Sequence, residues 1–239
     1  MPRTTLKSPV LSVRDLHAFY GDSHVLHGVD VDVHEGEVIT LLGRNGAGRS
    51  TTLKSILGLV DRRTGSIKVH GRETSLLQPY QIARCGIGYC PEERGIFGSL
   101  SCEENLLLLP DSGERPMAVE EIYALFPNLY DRRHTPGLRL SGGEQQMLAL
   151  GRILRTGHRI LFLDEISEGL APVIVKALGS AVRKLREDGF TIVLVEQNLH
   201  FAAPLADRHL IMENGRIVAE VSASDLHSHD SLFREYLSV

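Results

Sequence analysis

Apolar and polar residues alternate, or apolar residues form short runs, in the first third of the chain, and both patterns are typical of β-strands. Residues 29–33 carry a valine at every second position with aspartates between them, which predicts a strand buried on one face. After a Glu-Gly-Glu turn, residues 38–42 form a continuous apolar run that ends at Gly43. Such a run is expected of a parallel strand buried on both faces.

The rest of the chain alternates predicted helices with predicted strands. Helical spacing predicts helices over residues 50–59, near 79–84, and over 105–109, 119–126, 129–133 and 173–185. Strands are predicted over residues 67–69, 87–89, 160–163, 191–195, 209–213 and 216–219, the last two joined by an Asn214-Gly215 hairpin signal. This alternation predicts an α/β fold in which helices cover a mostly parallel sheet.

The predicted strands are interrupted between about residues 99 and 136, where only helices are expected. We interpret this segment as a helical subdomain inserted into a core that consists of residues 1–98 and 137–239. A chain of 239 residues is long enough for one large α/β domain of this kind.

Composition narrows the class of protein. Apolar residues make up 42% of the chain and charged residues 23%, which excludes disorder as the dominant state, and a net charge of −4 gives no reason to expect nucleic acid as a partner. Cys85, Cys90 and Cys102 are too irregularly spaced for a disulfide framework, so free thiols are expected. The start of the chain does not look like a signal peptide, and no run approaches the ~18 apolar residues that span a bilayer. We therefore expect a cytosolic protein that reaches a membrane only through another protein.

The segment GRNGAGRST, residues 43–51, has the spacing of a phosphate-binding loop between a strand and a helix. Small residues let successive backbone N–H groups close on phosphates, and the helix dipole adds to the attraction. Arg49 stands where a lysine is expected, and Ser50 is placed to bind Mg²⁺. The alternative is a glycine-rich turn that merely connects strand to helix. The predicted phosphate-binding residues are Gly43, Arg44, Asn45, Gly46, Ala47, Gly48, Arg49, Ser50 and Thr51.

The segment ILFLDE, residues 160–165, supplies acidic groups at the end of a buried strand. Asp164 is placed to hold Mg²⁺ beside the phosphate loop, and Glu165 to polarise an attacking water as general base. The competing interpretation is an ordinary strand that ends in two solvated acids.

The segment LSGGEQQ, residues 140–146, also allows two interpretations. Ser141 and Glu144 have the spacing of a capping box at a helix start. Two consecutive glycines are unfavourable there and suggest that something approaches the backbone closely, so the helix tip is expected to present amides and a hydroxyl to a phosphate. The two interpretations are compatible.

These three segments, in this order and at these separations, resemble the ATP-binding subunit of an ABC transporter, and the resemblance covers nearly the whole chain. It implies a P-loop NTPase core with a mostly parallel sheet, an N-terminal antiparallel β part and an inserted α-helical subdomain that includes the start of the LSGGEQQ helix. It also implies ATP and Mg²⁺ as ligands. Four further segments resemble the shorter ATPase subunit of branched-chain amino-acid importers: GIGYCPEERGIF (86–97), ALFPNLYDRR (124–133), SEGLAP (167–172) and TIVLVEQN (191–198).

The resemblance also assigns roles to individual residues. Tyr20 corresponds to the aromatic residue that stacks on adenine, Glu92 to the magnesium-sensing glutamine of most members, and Gln197 to the histidine that contacts the γ-phosphate. His200, three residues further on, is expected to be a helix surface residue. The implied catalytic residues are Glu165, Gln197 and Arg49. The implied metal-site residues are Ser50, Asp164 and Glu92, and Ser141, Gly142, Gly143 and Glu144 are expected to bind the ATP held by a second subunit.

The implied partners are a second ATPase subunit, identical or different, and integral membrane permeases. The two ATPase subunits would form a head-to-tail dimer that sandwiches ATP, and the permeases would hold this dimer on the cytoplasmic side of the membrane. A solute-binding protein outside the cytoplasm would act through the permeases. Two departures affect the expected activity: Arg49 replaces the loop lysine, and Ile166 replaces the proline after the acidic pair, which removes a fixed φ. Two other functions stay open, a nucleotide-binding module with little hydrolysis and an ABC ATPase for another cargo such as urea, amides or a lipid.

Overall fold

A computed structural model describes residues 8–110, 112–113, 115–229 and 236 of the chain. Within these residues the strands are β1 (Leu11–Tyr20), β2 (Ser23–Val33), β3 (Val38–Leu42), β4 (Arg62–Val69), β5 (Arg72–Glu73), β6 (Ile87–Cys90), β7 (Ile160–Asp164), β8 (Thr191–Glu196), β9 (Arg208–Glu213) and β10 (Arg216–Ser222). The helices are α1 (Arg49–Ile56), α2 (Pro79–Ala83), α3 (Cys102–Leu107), α4 (Val119–Leu125), α5 (Pro127–Asp131), α6 (Gly142–Arg155), α7 (Pro172–Glu187) and α8 (Leu199–Ala202).

The strands form two sheets. The first has the order β2-β1-β4-β5 and is antiparallel, and the second has the order β10-β9-β3-β8-β7-β6. In the second sheet β9, β3, β8, β7 and β6 are parallel, and β10 adds an antiparallel edge. The predicted α/β class, with a mostly parallel sheet and an antiparallel N-terminal part, is therefore confirmed.

The central strands β3, β7 and β8 of the six-stranded sheet are buried on both faces, as continuous apolar runs predict. Successive residues of β7 alternate between two apolar clusters. Ile160 and Phe162 pack with the antiparallel sheet and α1. Leu161 and Leu163 pack with α3, α4, α5, α6 and α7. Side chains thus alternate between the two faces of each strand, and the six-stranded sheet forms the middle of three layers.

The region between residues 99 and 136 contains α3, α4 and α5, which pack against α6. Of its described residues, Ser101 and Pro136 form an isolated β-bridge, and no strand is present. Its division from the core as a separate subdomain stays a prediction. No helix within the described residues has the length and apolar character needed to cross a membrane.

Most predicted elements are present with shifted ends. The predicted helix 50–59 ends at Ile56, because Leu57 caps it and Gly58 adopts a left-handed φ of 75° that closes the C-terminal turn. The strand predicted at 67–69 begins five residues earlier, at Arg62. Strand β1 was not predicted, since a bulge near Asp15, with a φ of 48°, breaks its alternation.

The hairpin between β9 and β10 turns at Asn214-Gly215, as predicted, with both residues at positive φ. The hairpin also contacts the predicted phosphate loop and strand β2. The Gly215 N–H donates to the carbonyl of Ala47 at 2.9 Å, and the Gly215 carbonyl accepts from the N–H of His27 at 2.9 Å. A Cβ at Gly215 would lie 1.9 Å from the backbone oxygen of Val25, so no other residue fits without movement.

We expect Gly215→Ala to lower the free energy of unfolding by about 3 kcal/mol or more, because a rigid backbone clash adds to the strain of a left-handed residue. Gly71→Ala is the matched control. Gly71 has a similar φ of 77°, but a Cβ there meets nothing within 4 Å, so a cost of about 1 kcal/mol is expected. Urea unfolding of both variants measures the difference, and equal midpoints would contradict the close packing at Gly215.

Candidate functional site

The segment 43–51 folds as a loop between the end of β3 and the start of α1. Gly46 and Gly48 adopt positive φ values of 81° and 105°, which L-residues with a Cβ rarely tolerate. A Cβ at Gly43 would lie 2.4 Å from the backbone oxygen of Met212, whereas one at Gly46 would meet nothing within 4 Å. The first glycine therefore allows the loop to pack on β9, and Gly46 leaves open space on the outside of the loop.

Arg49 is buried at the first position of α1, with 4% of its side chain exposed. One guanidinium nitrogen, Nη2, donates to Glu165 Oε1 at 2.7 Å and to Asn45 Oδ1 at 3.1 Å. The other, Nη1, is buried and has no hydrogen-bond partner among the residues that the structure describes. A buried cationic nitrogen without a partner is costly, and an anion in the loop would satisfy it.

Ser50 and Asp164 meet across the edge of the sheet. The Ser50 hydroxyl donates to Asp164 Oδ1 at 2.8 Å, and the Tyr89 hydroxyl donates to Asp164 Oδ2 at 3.0 Å. Burial raises the pKa of Asp164, although both hydrogen bonds oppose that shift. A hydroxyl and a carboxylate beside an anion-binding loop are oxygen ligands of the kind Mg²⁺ prefers, so the residues present fit that ion.

Glu165 follows Asp164 in a strained conformation, with a φ of 49° that turns its side chain back toward the loop. Its carboxyl lies within 4.8 Å of those of Glu92 and Glu168. Burial, together with a hydrogen bond to Glu168, raises the pKa of Glu165 to about 7 despite the opposing charge of Arg49. A carboxyl group with a pKa near neutrality is suited to accept a proton from water.

A cavity of about 340 Å³ brings these groups together. Its lining includes Arg49 and Ser50 of the loop together with Glu92 and Glu165. Glu168 also lines it and was not assigned a site role from the sequence, although it lies only three residues after Glu165. The remaining lining residues are Val25, Asn45, Gly46, Ala47, Gly48 and Thr51.

Several predicted residues do not line that cavity, among them Gly43, Arg44, Asp164, Tyr20 and Gln197. Tyr20 ends β1 with 38% of its surface exposed, and Val25 of the adjacent strand approaches the loop instead. Gln197 is exposed after β8 and lines a neighbouring cavity of about 690 Å³, which shares Glu165 with the first. His200 is exposed on α8, as expected of a surface residue. The roles assigned to Tyr20 and Gln197 stay predictions.

Glu196, just before Gln197, is a buried carboxyl that the sequence did not single out. It accepts hydrogen bonds from the Ser167 N–H at 3.0 Å and the Ser167 hydroxyl at 2.8 Å. Burial nevertheless raises its pKa to about 7. The contact joins the end of β8 to the segment after β7, and thereby holds the loop that carries Glu168.

The LSGGEQQ segment starts α6 with the predicted capping box. The Glu144 N–H donates to the Ser141 hydroxyl at 3.3 Å, and the Ser141 N–H donates to Glu144 Oε2 at 2.7 Å. The close approach expected at the glycines is made by the chain itself. A Cβ at Gly143 would lie 2.8 Å from the Ile174 side chain, and one at Gly142 would lie 3.2 Å from the Arg94 guanidinium. None of residues 141–144 lines the cavity at the phosphate loop.

The fold and this cavity define a nucleotide-binding protein of the phosphate-loop class. A family model described as ABC transporter matches residues 26–168, which is more than half of the chain. The chain therefore belongs to the ABC transporter family, and it is one of the ATP-binding subunits of that family.

Two relatives and one solved structure show the closeness of the match. The high-affinity branched-chain amino acid transport ATP-binding protein BraG of Pseudomonas aeruginosa is 39% identical, with 95% of this chain and 99% of BraG covered. The probable branched-chain amino acid transport ATP-binding protein LivF of Archaeoglobus fulgidus is 34% identical, with 90% and 93% covered. The solved structure of an ATP-binding subunit of an ABC transporter has a TM-score of 0.79 at 28% identity, with 96% of each chain covered.

The raised pKa of Glu196 predicts a loss of stability as pH rises. Its folded pKa of about 7 exceeds the ordinary value of 4.5, so the folded state binds the proton more tightly. Glu196 therefore makes its full contribution to the free energy of unfolding below about pH 4.5. This contribution, about 3 kcal/mol, is lost as the pH rises through about 7.

We therefore expect Glu196→Gln to remove this part of the decline in the free energy of unfolding between pH 5 and pH 8, measured by urea denaturation. Glu120→Gln, at an exposed position of α4, is the control and should leave the decline as it is. An identical pH dependence of the wild type and Glu196→Gln would show that Glu196 does not titrate in this range.

Proposed function

We propose that this protein binds and hydrolyses ATP to energise an import system for branched-chain amino acids. The observation that carries the proposal is the placement of Arg49, Ser50 and Glu165 around one cavity at the end of a parallel sheet. The segments implied to hold phosphate and to activate water lie far apart in the sequence. Their meeting at one edge supports a phosphoryl-transfer site more strongly than either segment alone.

Each residue of the cavity has a distinct task in this proposal. The amides of the loop and the N-terminus of α1 bind the phosphates, and the unpartnered Nη1 of Arg49 adds a positive charge. Glu165 orients a water and accepts its proton, for which a pKa of about 7 is suitable. Ser50 and Asp164 are placed to hold Mg²⁺, with Glu92 close by. When bound, the ion neutralises charge on the phosphates.

Arg49 is expected to slow hydrolysis. Its Nη2 is already bonded to the proposed general base, Glu165, at 2.7 Å, and both side chains are largely buried. While this pair holds, the Glu165 carboxylate shares its charge with a fixed guanidinium and is less available to a water. A planar guanidinium is also bulkier than the compact ammonium of a lysine, so the two residues are not equivalent at a tight site.

ATP-driven pairing with a second ATPase subunit, identical or different, completes the mechanism. Because residues 141–144 lie away from the cavity of their own chain, they are free to close on the nucleotide of a partner. Binding then joins two subunits and hydrolysis releases them. The movement is passed to membrane permeases on the cytoplasmic side, and Glu92 lies where nucleotide and permease signals would meet.

The cargo is proposed from the relatives. BraG, which matches nearly end to end at 39% identity, is named for high-affinity branched-chain amino acid transport. An extracytoplasmic solute-binding protein would then deliver the amino acid to the permeases. An ATPase subunit does not touch cargo, so related cargoes such as urea, amides or a lipid would use the same site.

A second candidate function is a nucleotide-dependent association module with little hydrolysis. The buried Arg49–Glu165 ion pair favours it, because a base that stays paired permits nucleotide binding and dimerisation but slows turnover. The partner ATPase would then carry most of the hydrolysis. ATP-dependent dimerisation without phosphate release would distinguish this candidate from the first.

Replacement of Arg49 tests whether its ion pair with Glu165 slows ATP hydrolysis. We expect Arg49→Lys to raise magnesium-dependent phosphate release of the assembled complex by about tenfold, equivalent to about 1.4 kcal/mol of barrier. Glu165→Gln should lower it by about 100-fold or more. Arg139→Lys, at an exposed position, is the control. Turnover untouched by Glu165→Gln would exclude the general-base role, and unchanged turnover in Arg49→Lys would remove the restraint assigned to Arg49.

Two Ser-x-x-Glu capping boxes among the described residues provide a matched test of the LSGGEQQ helix. Ser101–Glu104 at α3 and Ser141–Glu144 at α6 have the same hydrogen bonds. Aspartate keeps an N-cap but adds a negative charge, so Ser141→Asp should preserve folding while repelling a phosphate. In size-exclusion chromatography we expect it to weaken ATP-dependent dimerisation by about tenfold or more, whereas Ser101→Asp has no effect. Equal dimerisation by both variants would contradict the sandwich.

A further inference from the structure

Three histidines gather on the outer face of the antiparallel sheet. His17 on β1 lies directly opposite His27 on β2 in the strand register, and His24 is near the start of β2. The ring centroids of His17 and His24 are 5.1 Å apart, and those of His24 and His27 are 4.0 Å apart. His24 is exposed and the other two are half-buried, so the cluster is accessible to solvent.

The hydrogen bonds of this cluster fix the state of one imidazole. Asp15 Oδ1 lies 3.0 Å from His17 Nε2, and His17 Nδ1 lies 3.0 Å from His24 Nε2. The Asp15 carboxylate can only accept, so it places the proton of neutral His17 on Nε2. The lone pair on His17 Nδ1 is thereby directed toward His24. A carboxylate behind a histidine is the arrangement that orients metal-binding imidazoles in proteins.

We infer that His17 Nδ1 and His24 Nε2 form a binding site for a divalent transition-metal ion such as Zn²⁺. An ion at about 2.0–2.1 Å from each nitrogen holds the two nitrogens roughly 2.9 Å apart at a right angle and about 3.3 Å apart at a tetrahedral angle. The observed 3.0 Å lies within that interval. When an ion binds, the proton that His24 holds on Nε2 moves to its Nδ1, so both imidazoles bind as neutral ligands, and water is available for the remaining positions.

The surroundings hold the two rings in place. Phe19 stacks on His24 with centroids 4.3 Å apart, and the Arg62 guanidinium covers the other side of Phe19 at 3.9 Å. Gly28 leaves room for the orienting pair, since a Cβ there would lie 3.1 Å from Asp15 Oδ1. A preformed pair of ligands needs little reorganisation when an ion binds.

Charged side chains from several strands surround the cluster. Arg62 on β4 and Arg216 on β10 are the nearby cations, and Asp15 and Asp30 are the nearby acids. Nitrogen ligands favour Zn²⁺, Ni²⁺ or Cu²⁺ over the hard ions that the carboxylates near Glu165 would take, so the two sites differ in metal preference.

Titration of the untagged full-length chain with zinc chloride, without nucleotide or magnesium, tests the site. Calorimetry should show about one saturable equivalent per chain. His17→Gln and His24→Gln should each lower the affinity by about tenfold or more, and Asp15→Asn should lower it by about tenfold through loss of the orienting carboxylate. His134→Gln, at an exposed histidine elsewhere, should leave it unchanged.

Asp15→Asn keeps the shape of the side chain and the left-handed backbone tolerated by asparagine, so it remains informative if a histidine variant fails to fold. Visible spectra with Co²⁺ identify the ligands. Nitrogen coordination without thiolate charge-transfer bands is expected, whereas a thiolate band would place the ion at a cysteine and overturn the proposal. Absence of saturable zinc binding, or binding unaffected by the His17 and His24 variants, would also overturn it. The test involves no nucleotide and is independent of the proposed ATPase function.

Discussion

The hydrogen bond from Ser50 to Asp164 is the contact on which the site depends. Ser50 is the second residue of α1, which follows β3, and Asp164 ends β7, with β8 lying between these two strands in the sheet. The bond therefore spans a strand and joins the phosphate loop to the acidic pair. Since parallel strands deliver their carboxyl ends to one edge, the sheet order decides which loops can meet, and this bond fixes how closely they do.

The Arg49–Glu165 ion pair sets the electrostatics of the cavity. Two charges taken out of water lose hydration, and their attraction compensates only if the remaining polar atoms are also satisfied. Here Nη1 of Arg49 stays unpartnered, and Glu165 also faces Glu168. The pair is thus incomplete without a ligand. In the proposed mechanism, an incoming phosphate would satisfy Arg49 but would also compete with Glu165 for it, so phosphate binding and activation of the base would be coupled through one side chain.

The sequence predicted the elements whose signals are local and strong. The apolar run of β3, the hairpin at Asn214-Gly215 and the capping box at Ser141 all depend on neighbouring residues, and each is present. Strand β1 escaped prediction because its bulge at Asp15 breaks the alternation. The ends of α1 shifted because Gly58 closes the helix earlier than the apolar spacing suggests.

The contacts around the cavity could be predicted only in part. Strand order, and not spacing along the sequence, decides which of these residues meet. Tyr89 reaches Asp164 since β6 and β7 are adjacent, and Ser167 reaches Glu196 since β7 and β8 are adjacent. The glycines of α6 show the converse. Their bare backbone suggested a ligand, yet Ile174 and Arg94 already occupy the space that a Cβ would need. Packing within the chain accounts for Gly142 and Gly143, so the case for a phosphate at this helix tip depends on Ser141 and on the resemblance to the ABC family.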